Sequence, residues 1–433
     1  MTDQTSSEIG QKKLKKLPDY VWKFYAYRGL SSLGLAIQMP ILTLFLLDRG
    51  FSMATIGVFL GVMWFSVFAL EVPTGIVADK FSRKWSVCLG LIFQGICFLI
   101  FATTSSFILV LSGYLFFAMG STLRSGAGSA LLYDSLKSDG REEEFHKTIG
   151  NAISIGMIGS VAGNILCGVI VRFTGLSGPF WAAVIILMLA STLPAMIKEP
   201  SILLEGRIKD KALTFKNQVL SYLRHVKESF RFVGASSVLI FLIFINLVIM
   251  RMFQQLHGYF SQPYLKSFAY SAEQISYFFA GFSAITALFA KFSATVKKYL
   301  GGKERRAFLL IVFIGTVSLF FLAYAPIGLI AVLAFFGLNI MRGLFMPFLQ
   351  DSLNRRIPSD KRASCLSIAT AGQALIGIVT LPLFGYFADE FSLKTSLIIF
   401  QWTFFGLLFV GVIWGWKALG KESSPQSVAN KAL

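Results

Sequence analysis

The sequence predicts an all-α integral membrane protein whose twelve transmembrane helices form two six-helix bundles related by a pseudo-twofold axis. Three observations predict this fold class: an apolar composition, twelve apolar runs of membrane-spanning length, and similar motifs in the two halves of the chain. The first excludes a soluble domain, the second gives the number of helices, and the third gives their grouping into two bundles.

The composition is that of a membrane protein. Of the 433 residues, 55% are hydrophobic and 14% are charged, and the mean hydropathy is +0.68. Soluble domains carry about 25% charged residues. The net charge of +18 would suit a nucleic-acid-binding protein, but most Lys and Arg residues fall in alternate loops and the two tails. The opposite loops hold Arg49, Arg172, Lys266 and Lys394. This asymmetry follows the positive-inside rule, so we expect both termini in the cytoplasm and no nucleic-acid partner.

Neither end of the chain nor its cysteines predict further chemistry. The N-terminal stretch is polar and then basic (QKKLKKLPDYVWK), without the apolar core of a cleaved secretory signal. The cysteines are scattered through apolar runs without a Cys-x-x-Cys spacing, at Cys88, Cys97, Cys167 and Cys365. We therefore expect core packing from them, with no disulfide, metal site or cofactor.

Each of the twelve apolar runs has about 20 residues, enough to cross roughly 30 Å of hydrocarbon. They must be helices, because membrane strands would alternate polar and apolar residues. The runs lie near 25–47, 55–77, 85–104, 107–133, 149–171, 177–197, 236–260, 274–296, 307–325, 327–349, 364–387 and 395–416. The short connections on the outward side leave no room for an extracellular domain.

The longest connection divides the chain into two halves. The predicted parts are a cytoplasmic tail (1–24), a first bundle (25–197), a linker (198–235), a second bundle (236–416) and a second tail (417–433). Apolar residues recur at helical spacing in the linker, at Val219, Leu220, Leu223, Val226, Phe230 and Val233. With basic residues between them, they predict an amphipathic helix on the inner leaflet that tethers the two halves.

The two halves are internal repeats of each other. Helix four contains Arg124 and ends in RSGAGSALLYDSLK, and helix ten contains Arg342 and ends in RGLFMPFLQDSLNR. Both segments close on Asp-Ser-Leu, at Asp134 and Asp351, an offset of about 217 residues or half the chain. Parallel repeats of six helices related by an axis along the membrane normal are typical of secondary transporters.

A short charged hairpin between helices two and three carries a family motif. Its sequence from Glu71 to Lys84 is EVPTGIVADKFSRK, in which Asp79 and Arg83 have ion-pair spacing. Gly75 lies one turn before Asp79, so we expect a neighbouring helix to approach closely there. The hairpin resembles the loop signature of the major facilitator superfamily, Gly-x-x-x-Asp-x-x-x-Arg-Lys, which Gly75, Asp79, Arg83 and Lys84 fill. Ser82 stands where the family often has Gly.

The resemblance covers essentially the whole chain and is to bacterial twelve-helix members, especially efflux members. It implies two bundles that rock around one midplane site, and a competent monomer in the bacterial inner membrane. It also implies that Asp79, Arg83 and Asp134 form a gating cluster at the cytoplasmic side. In the second half the Asp of the signature is missing, and we expect Asp351 to pair with Arg305 or Arg306.

Glu71 is a carboxylate inside a predicted span, about two turns above the gating cluster. Ionisable groups in spans are costly and point to a function with a partner. Arg124 falls at a comparable depth, so we expect a Glu71–Arg124 pair. Two interpretations remain open: a site that binds a proton when the pair opens, and a purely structural salt bridge.

Further polar residues fall on helices seven and ten, which line the central cavity in the resembled family. The candidate cavity residues are Arg251, Gln254, Gln255, Arg342 and Phe345. Guanidinium groups without an acidic neighbour suit a carboxylate or phosphate on the substrate. The alternative is that they bond to helix-end carbonyls and cavity water. His257 alone is weak evidence for any role.

We therefore expect a secondary active transporter that works by alternating access on a small-molecule substrate, by proton-coupled export of amphipathic compounds. The alternatives are an anionic metabolite or carboxylate-rich chelator as the substrate, and a transport-incompetent sensor on the same fold. A primary pump is disfavoured because the sequence has no P-loop. An enzyme is disfavoured because the sequence has no His-Glu-x-x-His or Gly-x-Ser-x-Gly motif.

Overall fold

Twelve helices long and apolar enough to cross a membrane are present in the computed structural model, which describes residues 17–80, 82–198, 228 and 231–421. We number them span 1 to span 12. Their bounds are Asp19–Asp48, Met53–Glu71, Arg83–Thr103, Phe107–Ser138, Glu142–Thr174, Gly178–Ala195, Ser237–Ser267, Ala272–Tyr299, Glu304–Ala323, Gly328–Asn354, Ala371–Glu390 and Leu393–Leu419. The helices of spans 2, 11 and 12 are longer than their apolar parts, at Met53–Lys80, Ser359–Glu390 and Leu393–Lys421. The predicted all-helical fold with twelve spans is confirmed.

The helix surfaces remain apolar on the outside of the bundle. Ile108, Phe173 and Phe409 expose 74%, 78% and 67% of their surface. Such exposure would destabilise a protein in water, but it suits a protein whose solvent is lipid, where backbone groups are satisfied within each helix.

The helix packing repeats after six spans. In the first half, span 1 packs on spans 5 and 6, span 4 on spans 2 and 3, and span 3 on span 6. In the second half, span 7 packs on spans 11 and 12, span 10 on spans 8 and 9, and span 9 on span 12. The halves meet where span 2 packs on span 11 and span 5 packs on span 8. Each contact thus has a counterpart in the other half, which agrees with the predicted repeat.

Spans 1 and 7, at equivalent places in the repeat, are both interrupted. Span 1 consists of helix Asp19–Ala36, a 3₁₀ turn Met39–Ile41 and helix Leu42–Asp48. Pro40 in that turn has no N–H to continue the helix. Span 7 consists of helix Ser237–Gln255, a π-helical turn Leu256–Phe260 and helix Ser261–Ser267. π turns re-aim side chains and are frequent at functional sites.

Span 4 is also two helices, Phe107–Arg124 and Ala127–Ser138. Between them Gly126 has φ +74°, a left-handed conformation that a residue with a side chain rarely adopts. The break separates Arg124 from the helix that carries Asp134, so spacing along one continuous helix does not relate these two side chains.

Two further predictions concern the start of the first helix and the helix in the linker. The first helix begins at Asp19, inside the predicted N-terminal tail, where the carboxylate lies in the first turn and bonds Lys23. A carboxylate at a helix N-terminus is favourable, so charge does not mark the end of this helix. The predicted amphipathic linker helix lies almost wholly in residues 199–227 and 229–230, outside the described residues.

Candidate functional site

A cavity of about 460 Å³ lies between the two halves, and we call it the central cavity. Spans 1, 2 and 5 line it from the first half, and spans 7, 8, 10 and 11 from the second. Its polar lining includes Asn164, Arg251, Gln254, His257, Ser283 and Arg342. A site at the interface of the bundles can face either side of the membrane when the bundles rock.

The two cavity arginines have different environments. The Arg342 side chain is exposed to the cavity, with its Cζ 4.7 Å from the centroid of the Phe253 ring. It has no ion pair or hydrogen bond with any described residue. Arg251 is 3% exposed, and its Nη1 donates to the carbonyl of Gln373 at 3.2 Å. Arg342 is therefore available to a ligand, while Arg251 is held at the wall.

Gly377 makes room for Arg251. A Cβ atom at this position on span 11 would overlap Nη1 of Arg251. Because the glycine has no side chain, the guanidinium can lie against span 11 and keep its bond to the backbone of Gln373. No Asp or Glu is among the described residues that line the cavity. The cavity therefore combines two guanidinium groups with neutral polar groups, a set that suits an anion.

The structure separates the predicted cavity residues into two groups. Arg251, Gln254 and Arg342 line the cavity, and Gln254 bonds the Gln373 side chain at 3.4 Å. Gln255 and Phe345 are fully buried in helix packing, and Gln255 donates to the Thr380 carbonyl at 3.4 Å. Their prediction as cavity residues is not supported, because neighbours on a helix point about 100° apart and Gln254 takes the cavity side.

Some cavity residues are neutral and polar, and nothing in the sequence marks Asn164 or Ser283 as part of the site. Asn164 on span 5 donates to the Phe279 carbonyl at 3.2 Å and to the Ser283 hydroxyl at 3.0 Å, both on span 8. The His257 ring is stacked on Phe253 with centroids 4.8 Å apart, and it lies 4.8 Å from the Phe279 centroid. Only the contact between spans shows that these residues share a site.

We call the side of the membrane where span 1 begins and span 12 ends the terminal face, and the other side the opposite face. At the opposite face, Asp389 of span 11 accepts hydrogen bonds from the backbone N–H groups of Met53 and Ala54, at 3.0 and 2.8 Å. These groups belong to the first turn of span 2. The Tyr259 hydroxyl donates to the Met53 carbonyl. A carboxylate of one half thus caps a helix of the other.

Further contacts join the halves at the opposite face. Gln262 of span 7 donates to the Met39 carbonyl at 2.9 Å and accepts from the Thr43 N–H at 2.7 Å. Arg172 and Glu273 form an ion pair at 3.6 Å between spans 5 and 8. Span 2 also touches span 11 so closely that a Cβ at Gly57 would overlap the Leu381 carbonyl. The bundles are therefore closed together at this face.

The terminal face holds the residues of the predicted cytoplasmic gate. A Cβ at Gly75 would meet no atom of the described residues within 4 Å, so the predicted close approach at this glycine is not seen among them. Arg83 and Asp134 form the expected ion pair, and Arg83 also donates to the Ala130 carbonyl at 3.4 Å. Lys84 lies over the Trp85 ring at 5.6 Å. The side chain of Asp79 is outside the described residues.

Asp351 does not pair with Arg305 or Arg306. Its carboxylate binds Lys297 at 2.7 Å and Arg355 at 2.8 Å. Arg305 lies over the Trp416 ring at 4.9 Å, and Arg306 donates to the Leu300 carbonyl at 3.4 Å. The pairing fails because the loop places both arginines on the first turn of span 9, whereas Lys297 ends span 8 beside span 10.

The predicted Glu71–Arg124 pair is not formed in this conformation. Glu71 is half-buried and has no ion pair or hydrogen bond from its carboxylate to a described residue. Arg124 instead donates to the amide oxygen of Gln94. Spans 3 and 4 approach closely at Gly90 and Gly120, and this contact brings Arg124 against span 3 rather than span 2.

Two six-helix bundles, a cavity between them and polar closure at one face define a membrane transporter with one alternately exposed site. The chain belongs to the Major Facilitator Superfamily, whose model matches residues 26–380 and, in a second match, residues 243–432. The sequence-based family resemblance is thereby confirmed.

Relatives and solved structures agree with this membership. The uncharacterized MFS-type transporter YxaM of Bacillus subtilis (strain 168) is 24% identical over 381 residues, covering 87% of this chain and 91% of that protein. A hexuronate transporter of the same organism is 25% identical over 163 residues, covering 36% of each. The nucleoside transporter NupG has a TM-score of 0.75 at 14% identity, covering 92% of this chain and 99% of that chain. A D-xylose-proton symporter has a TM-score of 0.70 at 15% identity, covering 92% of this chain and 97% of that chain.

Proposed function

We propose that this protein is a secondary transporter that moves an organic anion across the membrane by alternating access. The observation that carries the proposal is Arg342, an arginine exposed to the central cavity without an ion pair to any described residue. Arg251 adds a second positive charge to the same cavity. A bound carboxylate or phosphate would supply the counter-charge, and it could accept two parallel hydrogen bonds from one guanidinium.

Bonding to a helix carbonyl, one alternative for these arginines, is found for only one of them among the described residues. Arg251 donates to a carbonyl of span 11 and is nearly sealed. Arg342 makes no such bond with a described residue. Charges are expensive within a membrane protein unless paired, so Arg342 favours a substrate that brings the opposite charge.

The remaining cavity surface suits a substrate with hydroxyl groups and an apolar side. Asn164, Gln254 and Ser283 offer amide and hydroxyl groups, and Trp64 and Met63 add an apolar wall. A hexuronate, the substrate named for one relative, carries a carboxylate and several hydroxyls. The same apolar wall would accept an amphipathic anion. Export, which the resemblance to efflux members predicts, remains a prediction about direction.

The positive-inside rule assigns the terminal face to the cytoplasm. With that orientation, the contacts at the opposite face close the external side of the central cavity. We propose that Gly75, Asp79, Arg83 and Lys84 act as the cytoplasmic gate together with Asp134, and that Asp351 serves in the second half. Binding energy that differs between the two states would set their populations.

Binding to purified protein tests the anion proposal. Gluconate, glucuronate and galacturonate are the probes, and glucose is the neutral control. We expect Arg342→Ala to weaken anion binding by about 100-fold, since charged hydrogen bonds contribute about 1.5–3 kcal/mol each. Arg342→Lys should retain part of the affinity because it keeps the charge.

Arg305→Ala is the matched control, because Arg305 lies over Trp416 and not in the cavity. It should leave anion affinity unchanged. Equal affinity of wild type and Arg342→Ala for every anion, or equal affinity of the wild type for glucose and glucuronate, would contradict the proposal. Loss of binding in Arg305→Ala would show that stability, not charge in the cavity, is responsible.

A further inference from the structure

His257 lies where the helix of span 7 becomes a π turn, at the wall of the central cavity. Its imidazole ring is stacked on Phe253 and lies tilted against Phe279. Nδ1 lies 3.3 Å from the side-chain nitrogen of Asn339. Nε2 makes no hydrogen bond with a described residue and is not sealed from the cavity. One edge of the ring is thus tied to span 10, and the other is free for a ligand.

The hydrogen bonds of Asn339 fix the orientation of its amide. Nδ2 donates to the Phe335 carbonyl at 2.8 Å, and Oδ1 accepts from the Thr286 hydroxyl at 3.0 Å. A flipped amide would place two acceptor oxygens, Oδ1 and the Phe335 carbonyl, 2.8 Å apart. Because that arrangement is repulsive, the second N–H of Nδ2 must point at Nδ1 of His257.

A donor facing Nδ1 requires a lone pair on that nitrogen. The ring is then neutral and carries its proton on Nε2. We propose that His257 presents a fixed Nε2–H donor to the cavity and thereby selects substrates, with Asn339 as the positioning residue that sets the tautomer. The proposal rests on the proposed transport of organic anions, because the substrate must bind in this cavity.

The geometry narrows the class of substrate. Arg342 lies over the Phe253 ring, on which His257 is stacked, so both donors lie next to one aromatic side chain. An anion that also carries an oxygen acceptor, such as a hydroxyl group, can satisfy both donors. An ammonium group placed against Nε2–H would meet a donor instead of an acceptor, and an unpaired donor in a closed site is costly. We therefore infer selection of hydroxy acids, sugar acids among them, over the corresponding amino acids.

The tautomer can be measured without a ligand. The chain has three histidines, so ring-¹⁵N-labelled full-length protein in lipid nanodiscs gives few signals, and His257→Gln assigns the one of interest. We expect the Nε2–H pattern for His257 in the wild type and a mixture of tautomers in Asn339→Leu. An Nδ1–H pattern, or a mixture in the wild type, would overturn the inference.

Binding then tests the selection with two matched substitutions. His257→Phe keeps the ring stacking and removes the donor, whereas His257→Gln places an amide N–H near the position of Nε2. The probes are gluconate and its 2-amino-2-deoxy analogue. We expect the wild type to prefer gluconate at least about tenfold, the Gln variant to keep that preference and the Phe variant to lose it.

The outcomes separate the two proposals. An unchanged preference in His257→Phe overturns the role of His257 and leaves the role of Arg342 intact. Failure of the wild type to bind any organic anion overturns the proposed function and, with it, the role of His257 in recognition. A preference lost equally in the Gln and Phe variants indicates packing rather than donation and also overturns the inference.

Discussion

At the scale of single residues, Arg342 and Glu71 are ionisable side chains within spans that have no ion pair or hydrogen bond to a described residue. Such groups are rare because of their cost, and a substrate or a proton can offset that cost. Arg342 faces the cavity and suits the substrate. Glu71 is half-buried on span 2, in the half of its helix that leads to the terminal face.

We propose that Glu71 binds the coupling proton, and substitution tests it. Addition of gluconate or glucuronate to weakly buffered wild-type protein should release or take up protons, and Glu71→Gln should abolish that pH change while retaining anion binding. Glutamine mimics the protonated acid in shape and charge. Asp48→Asn, at an exposed carboxylate that ends span 1, is the control and should behave as the wild type. An equal pH change in wild type and Glu71→Gln would show that coupling occurs elsewhere.

At the scale of helices, the closure of the opposite face depends on the first turn of span 2. Its free N–H groups carry partial positive charge, and the carboxylate that satisfies two of them belongs to span 11 of the other half. This contact exists only while the bundles are closed together at the opposite face. Its free energy therefore contributes directly to the balance between the conformations that are closed and open at this face.

Asp389→Ala should therefore favour opening at the opposite face. A helix cap contributes about 1 kcal/mol, so the ratio of open to closed molecules should rise about fivefold. Spin labels on cysteines at positions 48 and 394, exposed at this face in different halves, measure the distance; the native cysteines are buried. Glu390→Ala removes the neighbouring exposed carboxylate and should not change the distances. Unchanged populations in Asp389→Ala would exclude the cap as a gate.

At the scale of the whole molecule, span 2 carries two glycines with opposite environments. Gly57 lies against the backbone of span 11, whereas a Cβ at Gly75, more than four turns along the same helix, would meet no atom of the described residues within 4 Å. Rocking of the bundles would exchange these environments: the helices would separate at Gly57 and approach at Gly75. The helix of span 2 is thus suited to contact the second bundle near either of its ends.

Bulky substitutions at these two glycines should trap opposite states. Gly57→Leu cannot fit in the present conformation and should favour opening at the opposite face, whereas Gly75→Leu meets no described residue here and should prevent closure at the terminal face. Both variants should lose transport in vesicles, and the spin labels at positions 48 and 394 should report longer and unchanged distances, respectively. Gly406→Leu on span 12, also without neighbours within 4 Å, is the control. Transport by Gly75→Leu at the wild-type rate would contradict this mechanism.

Much of the fold could be predicted because it follows from solvation. Twelve apolar runs must become helices in lipid, and the half-chain repeat of Arg124 and Arg342 indicates two bundles. The Arg83–Asp134 pair was also predictable, since both residues fall at the ends of helices on one side. The helix interruptions were not predictable, because the polar residues near Gly126 and near the π turn of span 7 are equally compatible with a continuous helix.

The sequence by itself determined the membrane location of the helices, their number and the family, because these depend on composition and on motifs that stay local along the chain. It also supplied Arg251, Gln254 and Arg342 as cavity residues. Only the tertiary structure decided which side chains meet: Arg124 with Gln94, Asp351 with Lys297, and Asp389 with the first turn of span 2. The reason is geometric, since helix rotation and close approach at glycines set these contacts, and an apolar helix surface does not encode which face turns inward.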